Sequence, residues 1–108
     1  MVDTHRFSVH LVNLDPTVGS EIRKIRPCVV VSPDEMNRCL ETVIIAPLTS
    51  TLRGYASRVR CVFQGKPGEI ALDQIRAVDK ARLTKMMGNI QDSESQRVTT
   101  VLQEMFAL

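Results

Sequence analysis

The sequence has no tryptophan, one tyrosine and three phenylalanines. So few rings cannot line a groove for proline-rich peptides, which argues against a peptide-docking module of that kind. Histidine is nearly as scarce: His5 and His10 are the only ones, and they form no His-x-x-x-His or His-Glu pair of metal-ligand spacing. Each reads as an exposed or partly covered residue on an edge strand, with a two-histidine ribonuclease mechanism as the sharper alternative. Cys28, Cys39 and Cys61 are widely spaced, show no Cys-x-x-Cys pattern and cannot all pair within one chain. No metal site is expected from them; Cys28 and Cys61 read as core residues of a protein in a reducing cytosol. There is no Gly-rich phosphate loop and no Gly-x-Ser-x-Gly elbow, so nucleotide-driven and serine-hydrolase chemistries lack their usual motifs.

Long apolar runs are missing too. Cys28-Val29-Val30-Val31 and Val43-Ile44-Ile45-Ala46 fall far short of the roughly 20 residues that span a bilayer, and Met1 to Arg6 lack the apolar stretch of a secretory signal. A cytoplasmic protein with no membrane partner is expected.

What remains is a chain of 108 residues, 44% hydrophobic and 24% charged, the balance of one folded domain over residues 1–108. Its net charge is only +2, but the charge is unevenly placed. Thr42 to Gly68 holds Arg53, Arg58, Arg60 and Lys66 with no acid, and Ile22 to Pro33 holds Arg23, Lys24 and Arg26 with none. Focused positive charge concentrates a polyanion such as RNA or DNA; a solvated strand face is the plainer alternative.

Phe7 to Leu14 sets Phe7, Val9 and Leu11 against Ser8, His10 and Val12, the period of a half-buried strand. Asn13 to Ser20 is dense in turn formers and reads as a loop. Pro27 to Val31 is continuously apolar, a central strand with Pro27 at its start, where no ladder N–H is needed. Ser32 as N-cap, Pro33 at the first helical position and Glu35 three residues after the cap predict a short helix to about Arg38. Strands are expected at Thr42 to Ala46, at Ser57 to Gln64 and at Glu69 to Val78, with a polar loop from Thr49 to Tyr55 and a turn from Gly65 to Gly68. In the second of these strands Val59, Cys61 and Phe63 share one face and Arg58 and Arg60 the other. Asp79 to Leu83 reads as one helical turn before a short strand at Thr84 to Met87. Ser93 with Gln96 offers a capping box for a closing helix whose Val98, Val101, Leu102, Met105 and Phe106 lie on one stripe. The fold class is therefore mainly β with small helices: a strongly curved antiparallel sheet or partial barrel with a C-terminal amphipathic helix. The apolar end Met105-Phe106-Ala107-Leu108 invites burial against a second copy, as a homodimer.

One stretch carries more than secondary structure. It runs Asp15-Pro16-Thr17-Val18-Gly19-Ser20-Glu21, then Arg26-Pro27, then an apolar strand ending in Ser32. Ala46-Pro47-Leu48-Thr49-Ser50 with Gly54-Tyr55 follows, and then Ala71-Leu72-Asp73-Gln74-Ile75-Arg76-Ala77-Val78-Asp79-Lys80-Ala81-Arg82-Leu83. With these three blocks in this order, the chain resembles the MazF/PemK toxins of bacterial toxin–antitoxin modules. The resemblance implies an SH3-like or CcdB-like partial β-barrel, a homodimer, and a sequence-specific endoribonuclease (an mRNA interferase) that needs neither metal nor cofactor. Such an enzyme cleaves single-stranded RNA to a 2′,3′-cyclic phosphate and a 5′-hydroxyl. The resemblance also implies a cognate antitoxin whose acidic, disordered tail lies along the basic groove.

By the same resemblance, Arg26 and Thr49 form the catalytic pair. A guanidinium offers two parallel hydrogen bonds to the phosphoryl oxygens as charge builds on them, and a threonine hydroxyl can donate to the same phosphate. With a pKa above about 12, Arg26 makes a poor base, and the general base stays open; a plain ion pair of Arg26 with Asp15 or Glu21 is the alternative. Ser20, Glu21, Lys24, Arg53 and Gln74 match RNA-binding positions, Lys24 and Arg53 facing phosphates and Glu21 and Gln74 able to read base edges. Tyr55 either stacks on a base or packs beside Gly54. The chain departs from the family where the first strand usually opens with Gly-Asp, an aliphatic residue and an aromatic; here the stretch is Phe7-Ser8-Val9-His10. The competing function is a non-enzymatic, CcdB-like poison of DNA gyrase, which would have no need of Arg26 and Thr49.

Overall fold

A computed structural model describes residues 3–108, so the first two residues of the segment read above for a signal lie outside it. Seven strands form one antiparallel sheet: β1 (Ser8–Asn13), β2 (Ile25–Val30), β3 (Thr42–Thr49), β4 (Arg58–Phe63), β5 (Lys66–Ala71), β6 (Arg76–Asp79) and β7 (Leu83–Asn89). Their order is β4-β5-β3-β2-β1-β7, with β6 also on β3. Helix α1 (Asp34–Cys39) follows β2, and α2 (Asp92–Phe106) closes the chain. No helix among the described residues is long and apolar enough to cross a membrane.

The continuous apolarity of Cys28 to Val31 has a direct cause: both faces of the sheet are covered there. Val29 and Val31 join one core cluster with Ala46, Leu48, Val59, Cys61, Ile70 and Val98 of α2. Cys28 and Val30 join another with Val12, Leu14, Val43, Ile45, Val78 and Leu83. Both cysteines are buried as expected, and burial pushes the Cys28 thiol up to about 12 and that of Cys61 to about 11.

Several boundaries differ from the sequence reading. Pro27 lies inside β2 rather than at its start. The ladder with β3 covers only Cys28 to Val30, and Val31 donates to Ile44 O while Val30 O accepts from Phe7; odd residues of β2 therefore face β3, where Pro27 has no partner to satisfy. The expected strand Glu69 to Val78 is split. β5 and β6 both pair with β3, in registers offset by the intervening 3₁₀ turn Leu72–Gln74. β3 itself runs on through Pro47 to Thr49. The β4–β5 hairpin turns at Gln64 and Gly65, both with positive φ, and Gly68 belongs to β5.

Ser32 does not cap α1. Pro33 is the N-cap, while the Ser32 hydroxyl donates to Asn37 Oδ1 and accepts from Ile44 N. The cap of α2 is Gln91, not Ser93. The Gln91 N–H donates to Glu94 Oε1 at 2.9 Å, and Glu94 Oε2 accepts from Val62 N of the outermost strand, β4, at 2.9 Å. Arg97 donates to Arg60 O of the same strand. Val98 is buried, whereas Phe106 at the end of the expected stripe is 71% exposed.

β1 keeps its alternation but is not half-buried. Its register with β2 is regular, and the two shifts against β7 put the extra residues, Met87 and Thr84, in β7. Both faces of β1 are covered, Val9 facing one core and Val12 the other. Nor is β1 an edge strand: β2 and β7 flank it, and His10 is fully buried. The Ser8 hydroxyl donates to His5 O at 2.6 Å and lies 2.9 Å from His10 Nε2, so Nε2 carries the hydrogen. Nδ1 is left as a buried acceptor with no partner. Burial, helped by the His5 charge, holds His10 below the ordinary histidine range, and this places a neutral, inaccessible ring where a two-histidine mechanism needs a reactive one.

A histidine with a depressed folded-state pKa binds its proton better when unfolded, so stability is lost as pH falls through the unfolded value near 6.5. His5, raised by its bond to Asn89 despite some burial, acts in the opposite sense. His10→Leu should therefore retain more of its urea midpoint than the parent on going from about pH 7 to about pH 5. Identical losses in the two proteins would show that His10 is not neutral in the fold.

Candidate functional site

The β1–β2 connection, the start of β2 and the end of β3 fall at the same end of the sheet, because β1 and β2 pair antiparallel up to Asn13 and Ile25 and β3 runs opposite to β2. The β2–β3 ladder ends on this side at Cys28 and Pro47. Two residues further along each strand, on the same face as that pair, stand Arg26 and Thr49. There the ladder with β2 stops, while the opposite edge of β3 pairs with β5, Thr49 opposite Glu69. The two residues thus flank the opening where the strands part.

Arg26 is half-buried. Its Nε donates to Arg23 O at 2.8 Å, and among the described residues it forms no ion pair. The anticipated alternative partners are engaged elsewhere: Asp15 Oδ1 accepts from Lys24 N and Glu21 Oε1 from Val18 N. The Thr49 hydroxyl oxygen accepts from Thr51 N at 3.1 Å, which leaves its hydrogen free to donate.

The first loop carries Ser20, Glu21 and Lys24, all exposed. Its base is closed by Leu14 N donating to Lys24 O at 3.0 Å, with Lys24 in the left-handed region at φ 72. Two arginines without an assigned role in the sequence reading hold it from below. Arg76 donates to Leu14 O at 3.1 Å, and Arg82 to Asn13 O at 3.1 Å and Asp15 O at 2.6 Å. Gln74 ties the loop to the 3₁₀ turn, its side-chain oxygen accepting from Ile22 N at 3.3 Å, with its amide N–H groups left over for a ligand.

The second loop, with exposed Arg53, rests on Glu69, which the sequence reading missed. This carboxylate is 2% exposed and accepts from Arg53 N at 3.0 Å and Gly54 N at 2.8 Å. Burial alone would raise its pKa, but those two N–H groups and the charges of Arg58 and Arg60 outweigh it and hold the group below the usual carboxylate range. The only sequence signal was its position, as the first acid after the acid-free run.

Arg58 leaves the basic surface. Its guanidinium forks onto Asp73 at 2.6 and 3.2 Å, which raises its pKa, and it lies 5.3 Å from the ring of Tyr55. Tyr55 nevertheless remains 52% exposed. Arg23 and Lys24 of the first loop, Arg53 of the second and Arg60 of β4 stay exposed. Among the described residues no three His, Cys, Asp or Glu side chains converge as metal ligands.

Gly68 keeps the end of β3 where it is. A Cβ at this position would lie 2.8 Å from the backbone oxygen of Thr49, so a side chain there must move the strand end that carries the hydroxyl. Gly68→Ala should cost about 1–3 kcal/mol in urea unfolding; an unchanged midpoint would mean that β3 yields at no cost.

A family model described as PemK-like, MazF-like toxin of type II toxin-antitoxin system matches residues 5–106. The chain is 32% identical over 109 residues to Endoribonuclease EndoA of Bacillus subtilis, an alignment covering 95% of this chain and 94% of that one. It superposes on MazF of Deinococcus radiodurans with a TM-score of 0.84, at 23% identity and 96% coverage of both chains. An endoribonuclease in complex with its cognate antitoxin, from a mycobacterial species, superposes with a TM-score of 0.81 at 22% identity, over 96% of this chain and 95% of that one. These structures share the curled sheet and closing helix expected from the sequence; the family match over residues 5–106 and the 32% identical relative show that the chain belongs to the PemK-like, MazF-like toxins of type II toxin–antitoxin systems.

Proposed function

We propose that this toxin is an endoribonuclease that cuts single-stranded RNA at the opening between β2 and β3. The observation that carries this reading is the register that puts Arg26 and Thr49 at matching positions beyond the last β2–β3 pair, with exposed cations on the loops that follow β1 and β3. The ribose 2′-oxygen attacks the adjacent phosphorus, its P–O bond forms as the bond to the 5′-oxygen breaks, and the products are a 2′,3′-cyclic phosphate and a 5′-hydroxyl. The proton lost from the 2′-hydroxyl is balanced by the one gained at the leaving oxygen. Arg26 meets the charge growing on the phosphoryl oxygens, and its bond to Arg23 O fixes the guanidinium before substrate arrives, so no reorganisation is needed at the moment of reaction. Thr49 adds a hydroxyl donor. Both roles are filled by side chains of this chain, and the reaction proceeds without a metal ion.

Lys24 and Arg53 bind flanking phosphates, while Ser20, Glu21 and the free amide of Gln74 contact bases. Single-stranded RNA suits these loops, since its unstacked bases expose their edges. The chain works as a homodimer in the cytoplasm, its exposed Met105, Phe106 and Leu108 covered by the second copy. A cognate antitoxin blocks the same basic loops with an acidic segment.

Arg26→Ala should lower cleavage of a long single-stranded RNA by about 10²–10³-fold with the unfolding midpoint retained, and cleavage by the parent should persist in EDTA. Parent-like cutting by Arg26→Ala would move the site elsewhere. Lys24→Ala should instead weaken RNA binding across sequences and reduce the slope of log K against log salt by about one.

A further inference from the structure

The tip of the second loop has little to hold it. Within it, Thr51 N bonds the Thr49 hydroxyl and Tyr55 O accepts from Arg58 N; both bonds are short-range. Arg53 and Gly54 instead send their backbone N–H groups onto the two oxygens of a single distant side chain, Glu69. Gly54 has φ 68, a left-handed conformation that lets successive N–H groups converge on one anion, as in a backbone nest. Glu69 in turn is fixed by its place in β5, opposite Thr49 and next to Gly68, which has no room for a side chain. Of the two nearby cations, Arg58 lies 3.5 Å away and is committed to Asp73 at 2.6 Å, and Arg60, opposite Glu69 in the ladder, forms no ion pair with it among the described residues. The carboxylate is therefore held chiefly by the loop, and the loop by the carboxylate.

We infer that Glu69 is a positioning residue for RNA binding: it fixes the loop backbone from which Arg53 projects, so that the ordering of that loop is not left to the binding step. This rests on the reading of Arg53 as a phosphate contact. Preorganisation of this kind raises affinity by removing the ordering cost from the binding step.

Glu69→Gln keeps the size but not the function. An amide has one acceptor oxygen, so one of the two N–H groups meets an NH₂. The expected result is a KM for single-stranded RNA raised about tenfold with kcat within about twofold of the parent. The amides of Arg53 and Gly54 should also exchange hydrogen faster than in the parent. Arg53→Ala should raise KM to a similar extent, and the double variant should be no worse than either single one, because Glu69 acts through Arg53. Glu69→Asp, which keeps two acceptor oxygens on a shorter stem, should recover part of the loss and covers the case in which the glutamine variant does not fold. Additive KM effects, or an unchanged KM in Glu69→Gln, would overturn the inference. If the parent binds RNA without cutting it, the nuclease reading alone falls, and the same cycle in Kd for a fluorescein-labelled single-stranded RNA decides the role of Glu69. A parent that binds no RNA overturns both.

Discussion

The fold turns on where the pairing of β3 stops. β3 has β2 along one edge and β6, then β5, along the other. Its ladder with β2 ends at Cys28 and Pro47, two residues before β3 itself ends, and the sheet parts on that edge. The opening is what gives Arg26 and Thr49 access to solvent on a molecule whose other central positions are covered on both faces. Backbone pairing, rather than any contact between the two side chains, sets their relation. That is consistent with phosphoryl-transfer chemistry, in which placement and fixed charge supply most of the acceleration.

Around the opening, the charged residues divide into those that present charge and those that hold backbone. Arg76, Arg82 and Glu69 spend their polar atoms on carbonyls and amides of the two loops, and Arg58 is neutralised by Asp73. Lys24, Arg53 and Arg60 have no such commitment among the described residues and stay exposed. A count of basic residues cannot separate these classes, since both look alike in composition. The cationic surface is therefore smaller than the acid-free stretch Thr42 to Gly68 suggests, and more rigid.

Much of the fold was readable because its signals are local. The β-branched run at Cys28 to Val31 marked a central strand, and the stripe that begins with Val98, Val101 and Leu102 marked the closing helix. The errors share a cause: tertiary contacts override local chemistry. Ser32 has the makings of a cap but is drawn to Asn37 and Ile44. His10 looks like an edge residue by type, yet its strand lies between β2 and β7 and the ring is buried. Glu69 to Val78 reads as one strand, and the 3₁₀ turn inside it reflects pairing with β3, which no ten-residue window contains. At the site, the motif blocks pointed to Arg26, Thr49 and both loops; the supports beneath the loops were hidden because their partners are backbone atoms from distant parts of the chain.

The outer edge of β4 is closed by α2, through Glu94 on Val62 N and Arg97 on Arg60 O. A bare strand edge is a template for pairing with other chains. Synthesis runs from the N-terminus, so β4 leaves the ribosome well before the helix that masks it, and until α2 emerges the nascent polypeptide displays an unguarded edge. The helix thus acts as the molecule's own chaperone for that edge.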